Sequence, residues 1–359
     1  MSDVAGGEIV FVGSYASADV PGIHVVSVDG SCSEIRLDSS FSGVDNPSFL
    51  TVHPSGGYLF AVSETVIESD GTWGAVHSFQ IDRDAGELDL VALNQRSTGG
   101  DHPCHLSIDR DGRWLAVSNY GSGSAAVFAI EPDGNLGEMA SSVRHRGAGP
   151  VTARQQGPHA HSAIFTPDDQ FMVVADLGID RLVVYGFDAT SGALIRHDEI
   201  ATAPGAGPRH IHFHPAGDHL FAVNELDNTI TVYDYETGSG RLRAVQTLST
   251  LRPGTQGSIA AAIRIDRSGS RVYVSNRGDD SVAVYEFDRG SGLTLLDISP
   301  CGGAWPRDFG LIGDGSHMLV ANQHSGTVVL LPVSAGGRQI GTAGGRCEIS
   351  QPTCIALVG

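Results

Sequence analysis

The chain has 359 residues, 41% of them hydrophobic, and a mean hydropathy of −0.02, which is the composition of an ordinary globular protein. Its 22 Lys and Arg against 41 Asp and Glu give a formal net charge of −19, which argues against nucleic acid or an anionic membrane as a partner. The five cysteines are scattered and lack Cys-x-x-Cys spacing, which argues against a disulfide framework or a zinc cluster.

Residues 1–7 are polar and contain no apolar core of a signal peptide, and no apolar run reaches the ~18 residues of a membrane span. Together with the cysteine pattern, these observations lead us to expect a cytoplasmic protein that carries neither segment.

In chain order, one unit recurs seven times. Each copy contains short runs rich in Val, Ile, Phe and Tyr, separated by Gly, Pro and Asp turns, which is typical of a four-stranded antiparallel meander. The end of the second run recurs at steps of 46 to 57 residues, at Ser14, Glu64, Asn119, Asp176, Glu225, Asn276 and Asn322. The period predicts an all-β fold, a seven-bladed β-propeller that forms a single domain over residues 1–359.

The first unit starts at Glu8 and has no room for a first strand ahead of it. Later units open with a Pro-containing first strand, as in Asn46-Pro47 and Trp305-Pro306, and the chain ends with a similar strand, 351–359, that no further unit follows. We therefore predict that residues 352–358 pair with residues 8–13, complete blade one and close the ring, which leaves no full-length sheet edge between the first and the last blade.

Between blades three and four lies the longest irregular stretch, residues 145–158, which contains Arg154 and Gln155. A long loop in a compact repeat is either a tolerated insertion or a functional loop. Because this one runs directly into His159-Ala160-His161, we favour a functional loop.

Antiparallel pairing of the first two strands places the start of the first and the end of the second on one face of the disc. The first strands then begin at Ser48, Cys104, His161, Arg209, Ala261, Arg307 and Thr353. The same face gathers His102, His105, His159, His210, Arg277, Glu64, Asp176 and Glu225. Several arginines on one rim of an acidic protein indicate a small anionic ligand, although arginines can also tie blades together through buried carboxylates.

Other kinds of site are less well supported. His210, His212 and His214 alternate along one strand, as do His159 and His161, but no His-x-x-x-His or Cys partner accompanies them, so we expect no metal. Oxygen ligands are too dispersed to favour calcium, and neither a Gly-x-Ser-x-Gly elbow nor a Gly-rich phosphate loop occurs. We expect no cofactor.

Six motifs together resemble the lactonase family of seven-bladed propellers, which includes bacterial 6-phosphogluconolactonases and fungal 3-carboxymuconate-cyclising enzymes. The resemblance extends over the whole chain. The motifs are Asn46-Pro47-Ser48-Phe49-Leu50, Pro158-His159-Ala160-His161-Ser162, Gly207-Pro208-Arg209-His210, Val223-Asn224-Glu225-Leu226-Asp227, Val274-Ser275-Asn276-Arg277-Gly278 and Trp305-Pro306-Arg307-Asp308-Phe309.

By this resemblance the family's site falls on His161, Arg209, Glu225 and Arg277, and Arg154-Gln155 is similar to an Arg-Gln pair of the family. The resemblance implies metal-independent hydrolysis of an anionic lactone in sugar-acid metabolism, as in the pentose phosphate pathway. Glu225 or His161 would be the general base, and Arg209 and Arg277 would stabilise the oxyanion and hold a phosphate or carboxylate.

We expect Glu225 to stay ionised and His161 to change charge near neutral pH, which suits proton delivery. We predict further substrate contacts from Arg154, Gln155, His105, His159, His210, Arg307 and Glu64. The same residue types fit a lactonising isomerase, and a non-catalytic propeller that binds a small acid or a protein also remains open. The oligomeric state is not specified by these patterns.

Overall fold

The computed structural model describes residues 7–66, 74–84 and 87–358, and it contains seven four-stranded antiparallel sheets in this part of the chain. Blade one consists of β1 (Glu8–Ser14), β2 (Ile23–Val28), β3 (Ile35–Phe41) and β28 (Pro352–Leu357). Blade two consists of β4 (Leu50–Val52), β5 (Tyr58–Ser63), β6 (Ala75–Asp84) and β7 (Glu87–Ser97). Blade three consists of β8 (Pro103–Ile108), β9 (Trp114–Asn119), β10 (Ser124–Ile130) and β11 (Leu136–Arg144).

The remaining blades follow the same order. Blade four consists of β12 (Ala160–Phe165), β13 (Phe171–Asp176), β14 (Arg181–Asp188) and β15 (Ala193–Ala201). Blade five consists of β16 (Pro208–Phe213), β17 (His219–Asn224), β18 (Thr229–Glu236) and β19 (Arg241–Ser249). Blade six consists of β20 (Ile259–Ile265), β21 (Arg271–Arg277), β22 (Ser281–Asp288) and β23 (Gly292–Pro300). Blade seven consists of β24 (Pro306–Ile312), β25 (His317–Asn322), β26 (Thr327–Pro332) and β27 (Gly345–Glu348), with a 3-10 turn at Gly313–Gly315.

The predicted all-β seven-bladed propeller is confirmed, and so is its closure. Strand β28 pairs antiparallel with β1, with Val10 opposite Leu357 and Val12 opposite Ile355. Blade one therefore takes its innermost strand from the chain terminus, and the ring has no unpaired first strand at this point.

The turns between first and second strands follow the local chemistry expected from the sequence. Five of the six recurring turn positions carry a glycine with positive φ, and Asp169 adopts the same conformation in blade four with φ of 52°. A residue without Cβ meets no steric penalty in this region, and Asp tolerates it better than most residues.

The hydrophobic core lies between neighbouring blades. Phe221 and Val223 of blade five pack with Val272 and Val274 of blade six in one cluster, and equivalent clusters connect the other neighbours. Central strands are consequently buried on both faces, and the exposed residues concentrate on the outer strands such as Ala193–Ala201.

One detail of the expected register is wrong. The partner of Pro208 at the end of β17 is Asn224, equivalent to Asn119 opposite Pro103, so Glu225 lies one residue beyond the strand. Glu64 likewise follows Ser63, the last residue of β5. The sequence alignment placed both glutamates at the strand end because polar residues occupy two consecutive positions there.

Candidate active site

Two rings of side chains surround one mouth of the central channel. The first ring is formed near the start of each first strand, by Ser48 ahead of β4, by Ala261, the third residue of β20, and by the second residue of the other five first strands, namely Cys104, His161, Arg209, Arg307 and Thr353. The second ring is formed at the ends of the second strands, by Arg277, the last residue of β21, and by the residue that follows the second strand in each other blade, namely Tyr15, Glu64, Tyr120, Leu177, Glu225 and Gln323. With the corrected register, both glutamates belong to the same ring as Arg277.

A break in the ladder brings first-ring residues to the mouth. In β12 the pairing passes from Ala160 directly to Ser162, which leaves His161 unpaired, and in β24 it passes from Pro306 to Asp308, which leaves Arg307 unpaired. The same interruption recurs in four other blades. Such β-bulges redirect a side chain next to a functional site.

Glu225 is the centre of a buried ionic cluster. Its Oε2 accepts a hydrogen bond from Arg277 Nη2 at 2.7 Å, and its Oε1 accepts one from Arg154 Nη2 at 2.5 Å. Arg209 Nε lies 3.1 Å from Oε2, within ion-pair distance but out of line for a hydrogen bond. The Glu225 side chain is only 2% exposed, and its carboxylate pairs with two buried guanidinium groups, on Arg209 and Arg277, and with the partly exposed one of Arg154.

Backbone carbonyls fix the two buried guanidiniums further. Arg209 Nη1 donates to the Ala261 carbonyl at 2.7 Å, and Arg277 Nη2 donates to the Ala260 carbonyl at 3.0 Å. The Nε groups of both arginines are buried without a hydrogen-bond acceptor. Buried donors are normally satisfied, so both arginines retain hydrogen-bonding capacity beyond the bonds described here.

The charges in this cluster determine the protonation of Glu225. Burial alone raises the pKa of the Glu225 carboxyl, but Arg277 and Arg209 outweigh it and hold that pKa well below its usual range. Burial and Arg277 lower the pKa of Arg209 to about 9, so it stays protonated at neutral pH. Glu225 is therefore a permanently ionised and weakly basic anchor.

His161 lies in the same buried region. Its side chain packs edge-on against Tyr120 at 5.4 Å and against His210 at 5.4 Å, and its Nδ1 lies 3.8 Å from Cys104 Sγ. Burial, together with the positive charge of Arg209, lowers the pKa of His161 well below its ordinary value. The expectation that His161 changes charge near neutral pH is wrong for this environment, since the ring is neutral there and suits a proton acceptor.

A second polar cluster lies across the mouth on blades one, two and seven. The Tyr15 hydroxyl donates to the Glu64 carboxylate at 3.0 Å and accepts a hydrogen bond from Arg307 Nη2 at 2.7 Å. The Arg307 guanidinium also stacks over the Tyr15 ring at 5.0 Å, and the Ser48 hydroxyl donates to Glu64. Burial, which Arg307 partly opposes, raises the pKa of Tyr15, so this phenol stays protonated.

The long loop delivers Arg154 to the mouth. Besides Glu225, the Arg154 guanidinium donates to the Tyr120 hydroxyl at 3.4 Å. Gln155, by contrast, is fully buried, and its amide bonds the Leu177 carbonyl and the Asp180 carboxylate. Gln155 therefore anchors the loop and does not face the channel, which disfavours the predicted substrate contact.

The remaining predicted residues divide between the rim and the channel interior. His159 is half-buried and stacks on the Tyr120 ring at 4.4 Å, which places it beside Arg154. His105 and His210 lie deeper, with ring centroids 5.3 Å apart, and both line a cavity of about 370 Å³ further along the first strands. His210 reaches the rim only through its Nε2, which accepts a hydrogen bond from Arg209 Nη1 at 3.1 Å.

Three rim residues were not among the predicted substrate contacts, namely Tyr15, Tyr120 and Ser48, although the sequence places Ser48 on this face as a strand start. All three occupy the ring positions that also hold His161, Glu225 and Arg277. The signal that identifies them is register: once the strand ends are Ser63 and Asn224, the tyrosines align with the glutamates. Cys104 also belongs to this rim, but burial and Glu64 raise the pKa of its thiol, so it is not an activated nucleophile.

In the described ranges, no group of three or more His, Cys, Asp or Glu side chains is arranged to hold a metal ion. No helix in those ranges has the length and apolar character needed to cross a membrane.

Comparison with known proteins places this geometry in context. A family model described as a lactonase, seven-bladed β-propeller matches residues 9–357. A 6-phosphogluconolactonase of Bacillus subtilis is 32% identical over 352 residues, 98% of each chain. A 6-phosphogluconolactonase of Formosa agariphila is 33% identical over 328 residues, which are 89% of this chain and 91% of that protein.

A similar solved structure is the periplasmic gluconolactonase of Pseudomonas aeruginosa. It superimposes with a TM-score of 0.90 at 31% identity, over 98% of this chain and 99% of the other. The likeness therefore extends over nearly the whole chain.

Proposed function

The chain belongs to the lactonase family of seven-bladed β-propellers, and we propose that it hydrolyses the lactone of an anionic sugar acid, as a 6-phosphogluconolactonase-like enzyme. The observation that carries this proposal is the convergence of a buried neutral histidine, His161, with three arginines around Glu225 at one channel mouth. Hydrolysis of a lactone needs a proton acceptor for water and positive charge at the carbonyl oxygen, and this arrangement offers both.

In the proposed reaction, His161 accepts a proton from a water molecule as its oxygen attacks the lactone carbonyl carbon. The carbonyl oxygen becomes an oxyanion, which the positive charges of Arg209 and Arg277 stabilise. The bond between the carbonyl carbon and the ring oxygen then breaks, and the imidazolium returns its proton to that oxygen. The product is the open-chain hydroxy acid, which releases one proton to solvent at neutral pH.

Glu225 has a positioning role in this scheme. A carboxylate that pairs with three guanidiniums is a poor base, because protonation would break its ion pairs. It fixes the direction of the arginines before the substrate arrives, so little reorganisation is needed in the transition state. The geometry thus favours His161 over Glu225 as the base.

The test is proton release from a panel of substrates: 6-phosphoglucono-δ-lactone, glucono-δ-lactone and 3-carboxymuconate, the last also followed by its ultraviolet absorbance. We expect the enzyme to accelerate acid release from a lactone far above the spontaneous rate. Cyclisation of 3-carboxymuconate without lactone hydrolysis would show instead that the site runs the isomerase reaction.

We also propose that the protein works in the cytoplasm, in sugar-acid metabolism of the pentose phosphate type. Support comes from its five cysteines, all free, which is typical of a reducing compartment. Fractionation of cells with an antibody against the protein tests the location, and recovery in an exported fraction would refute it.

A further inference from the structure

Arg307 differs from the other arginines at this mouth. Arg154, Arg209 and Arg277 each lie within ion-pair distance of Glu225. In the described residues Arg307 has no carboxylate within such a distance, and its polar contact is the neutral hydroxyl of Tyr15. Among these four arginines of the described residues, Arg307 is therefore the one whose positive charge is not paired directly with a carboxylate.

Arg307 is nevertheless held in a defined orientation. Its guanidinium carbon lies 5.0 Å from the centre of the Tyr15 ring, and one of its nitrogens donates to the hydroxyl of the same residue. Tyr15 is fixed in turn by its bond to Glu64, which also accepts from Ser48. An oriented guanidinium with free donors suits bidentate binding of a phosphate or carboxylate.

Arg307 lies on a different part of the rim from His161, although its charge still acts on His161, Arg209 and Arg277. Arg307 belongs to blade seven, next to Tyr15 in blade one, whereas His161 belongs to blade four, on the other side of a ring of seven. Arg209 and Arg277 are nearly inaccessible and are tied to Glu225 and to backbone carbonyls. A substrate whose carbonyl lies between these arginines and His161 would therefore extend its far end toward blades seven and one.

We propose that Arg307, oriented by Tyr15, is the specificity residue that binds the anionic substituent of the lactone, remote from the carbonyl, and so selects a charged lactone over a neutral one. This inference rests on the proposed function. We initially expected Arg209 and Arg277 to hold the phosphate. In this proposal Arg307 binds the phosphate, and Arg209 and Arg277 stabilise the carbonyl oxygen.

The experiment compares kcat/KM for 6-phosphoglucono-δ-lactone and glucono-δ-lactone, which differ by the phosphate alone. We expect Arg307→Met to lower the ratio of the two values by about 10- to 100-fold, the range for a hydrogen bond to a charged group. Tyr15→Phe keeps the ring and removes the hydroxyl, so we expect a smaller fall of the ratio, expressed mainly in KM. Arg267→Met, at an arginine that is 90% exposed, is the matched control and should leave the ratio unchanged.

A second readout does not depend on turnover. Inorganic phosphate that binds the folded protein raises its melting temperature by mass action. We expect this rise in the wild type and in Arg267→Met, and its loss in Arg307→Met.

The outcomes separate the two proposals. Equal losses on both lactones in Arg307→Met would overturn the role of Arg307 while leaving lactone hydrolysis intact. Absence of catalysis on either lactone, with a phosphate shift that only Arg307→Met abolishes, would refute the proposed function and support the anion site. An equal phosphate shift in all three proteins would show a general salt effect and would also overturn this inference.

Discussion

Replacing Glu225 with Gln keeps the shape of the side chain and removes the charge that three guanidiniums share. Two of those guanidiniums, on Arg209 and Arg277, are almost completely buried, so the variant leaves buried cations next to one another without a counter-ion. Loss of one partner from a buried ion pair costs about 3–5 kcal/mol. With an unfolding entropy of about 2.1 cal/mol/K per residue over 359 residues, that cost lowers the melting temperature by about 4–7 °C.

The effect should also depend on pH. The pKa of Glu225 is lower in the folded protein than in the unfolded chain, so its contribution is complete above the unfolded value of about 4.3 and is lost as the pH falls toward the folded pKa. Urea unfolding of wild type and Glu225→Gln at pH 7, 5 and 3.5 measures this difference. We expect equal gaps at pH 7 and 5 and a smaller gap at pH 3.5. Equal stability of the two proteins at pH 7 would refute the ionic-cluster account.

Further predictions concern the base, the loop and the closing strand. Because the pKa of His161 is lowered, kcat/KM for lactone hydrolysis should show no inflection near pH 6.5 and should fall only at lower pH; an inflection at 6.5 would contradict the buried neutral base. Arg154 is 35% exposed and Arg277 is buried, so Arg154→Met should cost about 0–1 kcal/mol in urea unfolding and Arg277→Met about 3–5, and equal costs would refute this distinction. Deletion of residues 351–359 removes a strand with five buried residues and exposes β1, so the melting temperature should fall by many degrees; a truncated protein that melts like the full chain would disprove ring closure.

The propeller could be predicted because local chemistry repeats seven times in the chain. Alternating apolar runs and the turns at Gly56, Gly112, Gly217 and Gly269 each specify a short-range structure, and the period supplies the long-range arrangement. Even the closing strand was recognisable, since 351–359 opens with the same Pro-containing pattern as the first strands of other blades.

The site was only partly predictable, because its properties arise from contacts between blades. Sequence placed His161, Arg209 and Arg277 on one face, but it gave no means to see that Glu225 would be enclosed by three arginines or that His161 would lose its charge through burial. The β-bulge that redirects His161 depends on the partner strand and leaves no local pattern.

The two rim tyrosines were missed for a different reason, which is the register of the strands. Tyr15 and Tyr120 align with Glu225 only when the register is correct to one residue, and a polar pair such as Asn224-Glu225 allows two alignments. Gln155 shows the opposite error. It is polar and adjacent to Arg154, so the sequence suggested a substrate contact, but its amide bonds Leu177 and Asp180 and anchors the loop.

The central claim is that catalysis takes place at the mouth that carries His161, and two histidines at different depths of the channel test it. His161 is the second residue of β12, whereas His212 lies further along the adjacent first strand, β16, and lines the channel cavity. Proton release from 6-phosphoglucono-δ-lactone should fall by about 10²–10⁴ in His161→Gln, the contribution of a general base, and stay within about threefold of wild type in His212→Gln. Full activity in His161→Gln, or a comparable loss in His212→Gln, would contradict the account.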